Sequence, residues 1–279
     1  MVLKLIKNEF KESQSKFMPI IGLIAMSSVV LGVMVKTNFQ EMITLILLLV
    51  VFGLGVGSAV LSVMAFIDLL YTSLYNKNGY RLFTYPVETW EILVSKVVVF
   101  ILWYLIIGAV TIVSVGLLGL IVFSGTDVLK NFGSFLSYIN TQIELRAYLT
   151  FGFYQLSSLI FGAVFFLFIG SITNSAFIQN HRKFYTFILY VILLSISSNV
   201  FAKVVGNIGG LDISVNPGLF IDGVPQFQLG MSWAEIFNIT TNIKELQRLL
   251  LASLMTLAAS GILTLGTLWF WNNKLEIIE

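Results

Sequence analysis

Long apolar runs alternate with shorter polar segments along the chain. Each run is close to, or longer than, the roughly 20 apolar residues that a membrane-spanning helix requires. The pattern therefore predicts an all-α integral membrane protein with six transmembrane helices. The predicted spans are residues 17–35, 42–67, 97–123, 149–173, 184–205 and 249–271.

The segment before the first span, residues 1–16, has a different pattern. Apolar residues recur there at helical spacing with lysines on the flank, namely Leu3, Ile6, Phe10 and Phe17 beside Lys4, Lys7 and Lys11. This pattern is typical of an amphipathic helix that lies in the membrane interface with its cations near lipid phosphates. A positively charged leader to the first span is the alternative interpretation.

The positions of the basic residues predict the orientation of the chain. Ten of the sixteen lysine and arginine residues fall on the cytoplasmic side if the N-terminus is inside. Cytoplasmic loops of membrane proteins are enriched in these residues. We therefore expect a multi-pass protein of the cell membrane with both termini cytoplasmic. Residues 17–271 form the six-span domain, residues 124–148 and 206–247 are its large outer segments, and residues 272–279 are a cytoplasmic tail.

Composition excludes several classes of function. The chain is 57% hydrophobic and 11% charged, with no cysteine and one histidine. Thiol chemistry, a metal site and histidine-based catalysis are therefore not expected, and a net charge of +2 does not indicate nucleic-acid binding. The glycine run at Gly53, Gly55 and Gly57 is typical of close helix packing. No Gly-Lys dipeptide occurs, so the chain has no phosphate-binding Walker A loop.

No acidic or basic residue lies near the middle of a predicted span. Transporters driven by ions or protons usually carry such residues within the membrane, because these groups hold the coupling ion. We therefore expect no catalytic or metal-binding residue and no cofactor in this chain. If it moves a substrate uphill, the energy comes from another polypeptide.

The connection between the second and third spans, residues 68–96, mixes charged, aromatic and apolar residues. Asn78 and Gly79 favour a turn. Pro86 suits the first turn of a helix, and Thr84 is a candidate cap. A plain connector could be shorter and more uniformly polar, so we hypothesise a structured segment that leaves the membrane and returns; that it meets a soluble partner is what the family resemblance described next implies. A flexible loop with aromatic residues at the interface is the alternative.

Part of this connection resembles a known family. The stretch RLFTYPVETWEILVSK, from Arg81 to Lys96, is similar to the "LtlPvs…illsK" connection of ABC type-2 exporter permeases. The matching positions are Leu82, Pro86, Val87, Ile92, Leu93, Ser95 and Lys96. In that family, a cytoplasmic coupling helix between spans two and three docks on the ATPase. The resemblance places this helix within residues 68–85, and the ATPase-coupling residues we expect are Tyr75, Lys77, Tyr80, Arg81 and Phe83.

The resemblance implies a permease subunit of an ATP-driven exporter that works as a homo- or heterodimer among membrane lipids. A separate cytoplasmic ABC ATPase would bind ATP and Mg. We expect a hydrophobic or amphipathic cargo, with antimicrobial-peptide export or immunity as the specific hypothesis. The candidate substrate path consists of Tyr154, Ser158, Ser195, Ser198 and Asn199. A non-transporting membrane scaffold or sensor that recruits a cytoplasmic partner is the alternative function.

Overall fold

The structure, a computed structural model, describes residues 2–37, 41–75, 87–123, 145–174 and 243–273, with the short pieces 188–189, 192, 220–221 and 224–225. Its helices are α1 (Val2–Thr37), α2 (Glu41–Ile67), a π-helix (Asp68–Thr72), α3 (Ser73–Tyr75), α4 (Thr89–Phe123), α5 (Leu145–Thr173) and α6 (Ile243–Asn273). Two short strands, β1 (Phe220–Ile221) and β2 (Val224–Pro225), pair in antiparallel fashion.

Within the described ranges, five helices are long and apolar enough to cross a membrane. They are Val2–Thr37, Met42–Tyr75, Thr89–Val122, Leu145–Thr173 and Leu246–Asn273. The predicted all-α membrane class is confirmed at this level, and five of the six predicted spans coincide with these candidate membrane helices. The other predicted span, residues 184–205, lies outside the described residues except for helical residues 188, 189 and 192.

The first helix differs from the two-part prediction. Residues 1–16 and the span 17–35 were expected to be separate, whereas α1 is one continuous helix of 36 residues with Pro19 inside it. Proline removes one backbone hydrogen bond from a helix, but Phe17 and Ile20 on either side are fully buried and hold the chain in place. At 1.5 Å per residue the helix is about 54 Å long, well beyond the roughly 30 Å of a hydrocarbon core.

The amphipathic pattern of the N-terminal half of α1 is present. Lys4, Lys7 and Lys11 are exposed, and Ile6 and Phe10 pack against the core of the protein. Leu3, the first residue of the apolar stripe, is 81% exposed, so protein covers only part of the apolar side of this half, and the predicted position in the membrane interface stays a prediction.

The helices on both sides of the predicted coupling connection are longer than expected. The second membrane helix continues past Ile67 to Tyr75, and α4 begins at Thr89, before the predicted start at Val97. A backbone hydrogen bond of 3.0 Å from Glu91 N–H to Glu88 O closes the first turn of α4. The coupling helix predicted within residues 68–85 stays a prediction, because residues 76–86 lie outside the described residues.

The chain divides into two compact units. Unit 1 comprises Met1–Leu136, Asn174–Ala176 and Thr267–Glu279, and unit 2 comprises Ser137–Thr173 and Phe177–Gly266. In unit 1, α1 packs against α4 and α2. The buried core of this packing consists of Phe17, Ile20, Ala65, Leu69, Val99 and Trp103.

A glycine of unit 2 lies in close contact with a neighbouring side chain, whereas the glycines of the run Gly53, Gly55 and Gly57 do not. A Cβ atom at Gly266 would lie 2.8 Å from Cε2 of Phe168, so this position requires glycine unless the ring moves. A Cβ atom at Gly53, Gly55 or Gly57 would have nothing within 4 Å. The close helix packing predicted for that run is therefore absent within the described part of the chain.

Candidate functional site

The predicted ATPase-coupling residues fall on both sides of the boundary of the described structure. Tyr75 is described, whereas Lys77, Tyr80, Arg81 and Phe83 lie outside the described residues. The geometry that bears on coupling is therefore that of residues 68–75, which lead into the connection. We call residues 68–75 the anchor segment.

The anchor segment begins with a π-helix, Asp68–Thr72. The backbone N–H of Ser73 bonds to the carbonyl of Asp68, five residues earlier, which is the π pattern. Leu69, Leu70 and Tyr71 are buried although they are consecutive, so protein surrounds this turn on more than one side. Wide turns of this kind are frequently found at functional sites.

An ion pair joins the start of the anchor segment to α1. Lys16 pairs with Asp68, and the two side chains are 47% and 32% exposed. Exposed pairs contribute on the order of 0–1 kcal/mol. This link is therefore weak, but it fixes which face of α1 meets the π-helix.

The buried side chain of Lys96, which belongs to α4, contacts both the anchor segment and α1. Lys96 Nζ donates a 2.8 Å hydrogen bond to Ser73 Oγ and lies 3.1 Å from Glu9 Oε1. The Lys96 and Glu9 side chains are only 3% and 6% exposed. Ser73 Oγ in turn donates a 2.6 Å bond to the carbonyl of Leu69. Charge attraction joins Glu9 to Lys96, and Ser95 is a second side chain that interacts with the Glu9 carboxylate.

Two tyrosine hydroxyls attach the same segment to other parts of unit 1. Asn174 Nδ2 donates a 3.0 Å hydrogen bond to the Tyr71 hydroxyl, and Trp271 Nε1 donates one of 3.0 Å to the Tyr75 hydroxyl. The two tyrosine rings lie 5.1 Å apart. The hydroxyl of Tyr75 therefore contacts the end of α6, and its predicted role in ATPase docking stays a prediction.

An aromatic stack lies beside the buried ion pair. The Trp103 ring is stacked between Phe10 and Phe17, with ring centroids 4.7 and 4.5 Å away and interplanar angles of 11°. Trp103 Nε1 donates a 2.8 Å hydrogen bond to Ser13 Oγ. Ser13 Oγ bonds back to the Glu9 carbonyl at 2.8 Å. The stack and the ion pair thus hold the same stretch of α1 against α4.

Sequence reasoning identified part of this arrangement. Lys96 and Ser95 were singled out through the family motif, and Tyr75 as a coupling residue. Glu9, Ser73 and Trp103 were missed. Glu9 lies among exposed lysines and reads as a solvated charge. The available signal is its spacing, because Glu9, Ser13 and Phe17 recur every four residues and so share one helix face.

The candidate substrate path is only partly described. On α5, Tyr154 is half-buried and Ser158 is exposed. The other path residues, Ser195, Ser198 and Asn199, lie outside the described residues. Ser157, next to Ser158, is buried and donates a 2.7 Å bond to the Phe153 carbonyl. The substrate path therefore stays a prediction.

The described residues contain no group of three His, Cys, Asp or Glu side chains arranged to hold a metal ion. No protein family, curated protein or solved structure matches the chain. The resemblance to ABC type-2 permeases thus rests on the connection between the second and third spans and on the order of the spans. What the fold itself defines is a helical, multi-pass membrane protein with an anchored segment at the end of its second membrane helix.

Proposed function

We propose that the chain is the membrane-spanning permease subunit of an ATP-driven ABC exporter. The long apolar helices of the described part support a multi-pass membrane protein. The anchor segment lies within the connection that resembles the family's coupling region, and the stretch that carries the motif, Arg81 to Lys96, follows it in the chain. The observation that carries the proposal is that side-chain contacts tie this segment to several other parts of unit 1.

These contacts favour coupling for a mechanical reason. An ATPase that moves the connection must transfer this displacement to the membrane helices. The anchor segment contacts α1 through Lys16, α4 through Lys96 and α6 through Trp271. Packed side chains and hydrogen bonds of this kind carry energetic coupling between sites. A flexible loop attached only at its two ends would absorb the displacement instead.

The remaining parts of the proposal follow from the resemblance. The partners are a cytoplasmic ABC ATPase that binds ATP and Mg, a second permease that is identical or related, and membrane lipids. The protein lies in the cell membrane with both termini on the cytoplasmic side. The cargo is hydrophobic or amphipathic, with antimicrobial-peptide export or immunity as the specific hypothesis.

The decisive experiment changes the predicted docking residues. Tyr80→Ala combined with Arg81→Ala removes an aromatic ring and a planar cation, both common interface anchors. Loss of one such anchor costs on the order of 2 kcal/mol or more, which corresponds to roughly thirtyfold weaker association. We expect less ATPase to co-purify in mild detergent and cargo-dependent ATP turnover to be lost, with the yield of folded protein unchanged.

Lys77→Ala is the matched control, because it removes a charge from the predicted turn and is expected to be nearly neutral. Unchanged ATPase binding by the double variant would contradict the docking assignment. Recovery of a cytoplasmic partner without ATPase activity, in an assay that detects no ATP-dependent transport, would favour the scaffold or sensor function instead.

A further inference from the structure

Within the described part of the chain, Glu9 and Lys96 are the buried charged side chains. They come from distant positions in the sequence and meet beside the anchor segment. The Lys96 ammonium lies between Glu9 Oε1 at 3.1 Å and Ser73 Oγ at 2.8 Å. Lys96, which belongs to α4, thus contacts both the N-terminal half of α1 and the anchor segment.

Each of the two charges depends on the other. Burying an ion is unfavourable unless an opposite charge or hydrogen bonds compensate it. Lys96 has a hydrogen bond to Ser73 in addition to its ion pair, and the Glu9 carboxylate lies beside the side chains of Lys96 and Ser95, both on α4. Glu9 is therefore held in place by the charge of Lys96 and by the helix that carries it.

We propose that Glu9 and Lys96 are positioning residues that lock the anchor segment to the N-terminal half of α1. Their role in coupling rests on the function proposed above, whereas the lock itself does not. With the pair intact, α1, α4 and the anchor segment move as one body. A displacement that enters from the connection then reaches α1 as well as the helices on either side of the connection.

Burial distinguishes this pair from the other ion pair of the anchor segment. Lys16 and Asp68 are 47% and 32% exposed, so water replaces either partner at little cost. The Glu9 and Lys96 side chains have almost no contact with solvent. Separation of the buried pair leaves two unsolvated charges, and the arrangement with the pair closed is therefore strongly preferred.

The lock is testable by a distance measurement on this chain alone. The chain has no native cysteine, so Lys4→Cys and Thr72→Cys provide background-free sites for two nitroxide labels. Lys4 is an exposed residue on α1, and Thr72 is the last residue of the π-helix. Pulsed electron paramagnetic resonance then gives the distance distribution between α1 and the anchor segment.

We expect one narrow distance with the pair intact, and loss of this single narrow peak in both Glu9→Gln and Lys96→Met. The charge swap, Glu9→Lys with Lys96→Glu, should restore it. Glu12→Gln is the matched control, because Glu12 is an exposed acid on the same helix, and it should leave the distribution unchanged. Rescue by the swap separates a role of the ion pair from a general loss of packing.

A broad distribution with the pair intact, a narrow one in Glu9→Gln, or a swap that fails to restore the peak would each overturn the lock. If the single variants do not fold, the double variant Glu9→Leu with Lys96→Met tests the lock instead, because it buries no charge. A folded double variant with a broad distribution supports the lock, and a narrow one overturns it. None of these measurements needs an ATPase, so failure of the exporter assignment is visible separately in the co-purification experiment.

Discussion

The two halves of α4 have different surroundings although both are strongly apolar in sequence. In residues 92–103, buried positions occur on several sides of the helix, and they include the polar residues Ser95 and Lys96. In residues 104–123, large apolar side chains are exposed. They are Tyr104, Leu105, Ile112, Val113, Val115, Leu117 and Leu120.

We interpret this difference as a part of the helix that other helices of the protein enclose and a part that we expect to face lipid. Exposed apolar side chains are stable in contact with hydrocarbon, and buried polar ones are stable only beside partners. The change occurs near Trp103, at the level of the aromatic stack with Phe10 and Phe17. We therefore expect the boundary of the hydrocarbon near Trp103, with the preceding turns of α4 enclosed by protein beyond it.

The largest effect is expected in the enclosed half. Lys96→Met leaves the Glu9 carboxylate buried without its counter-charge, and breaking a buried pair in this way typically costs about 3–5 kcal/mol. The measurement is the midpoint of detergent-induced unfolding followed by tryptophan fluorescence. Lys11→Met is the control, because Lys11 is exposed on α1 and should change stability by less than about 0.5 kcal/mol. Equal midpoints for both variants would mean that the first half of α4 is open to water.

The second prediction concerns the lipid-facing half. Ile112 is 75% exposed, so Ile112→Asp places a carboxylate in hydrocarbon. The insertion cost of an acidic residue at the centre of a membrane helix is about 2.5–3.5 kcal/mol. We expect a marked fall in the fraction of correctly inserted protein, measured with a topology reporter fused after α4.

Ile112→Ala is the control for this experiment. It removes volume but adds no charge, and it should insert normally because lipid fills the space. Normal insertion of Ile112→Asp would show that residues 104–123 do not face lipid.

The sequence predicted the apolar spans well because a run of apolar residues carries its own signal. The described helices extend beyond the predicted span ends on both sides of the connection. The predicted second span ended at Ile67, before Asp68, and the predicted third span began at Val97, after Lys96. The helices continue past both charges, because Asp68 pairs with Lys16 and Lys96 pairs with Glu9.

The anchor segment was harder to predict than the spans. Its contacts join residues that are far apart in the chain, such as Tyr75 and Trp271, and no local pattern records such a pairing. The π-helix was equally hard to predict, because the sequence of Asp68–Thr72 contains no glycine or proline that would indicate it. The family motif indicated Lys96 but not its partners.

A third prediction separates ring stacking from hydrogen bonding at the boundary. Trp103 is 1% exposed and donates to Ser13. Trp103→Phe keeps an aromatic ring between Phe10 and Phe17 but removes the N–H donor and part of the volume. We expect a loss of about 1–2 kcal/mol in the free energy of unfolding. Trp269→Phe is the control, because Trp269 is exposed, and it should have little effect. Equal losses in both variants would show that the buried hydrogen bond has no special weight.

The smallest expected effect tests a close contact between α1 and the lipid-facing half of α4. A Cβ atom at Gly32 would lie 3.2 Å from Cδ1 and Cγ2 of Ile121, closer than ordinary van der Waals contact. Gly32→Ala should therefore push α1 and α4 apart and reduce stability by about 1 kcal/mol. A Cβ atom at Gly116, on the same half of α4, would have nothing within 4 Å, so Gly116→Ala should only gain the higher helix propensity of alanine, about 1 kcal/mol or less. Both variants add one methyl group to a membrane helix, and only the presence of Ile121 distinguishes them. Equal unfolding midpoints would mean that α1 and α4 separate toward this end, and that the enclosed half, with the Glu9–Lys96 pair and the Trp103 stack, alone holds the two helices together.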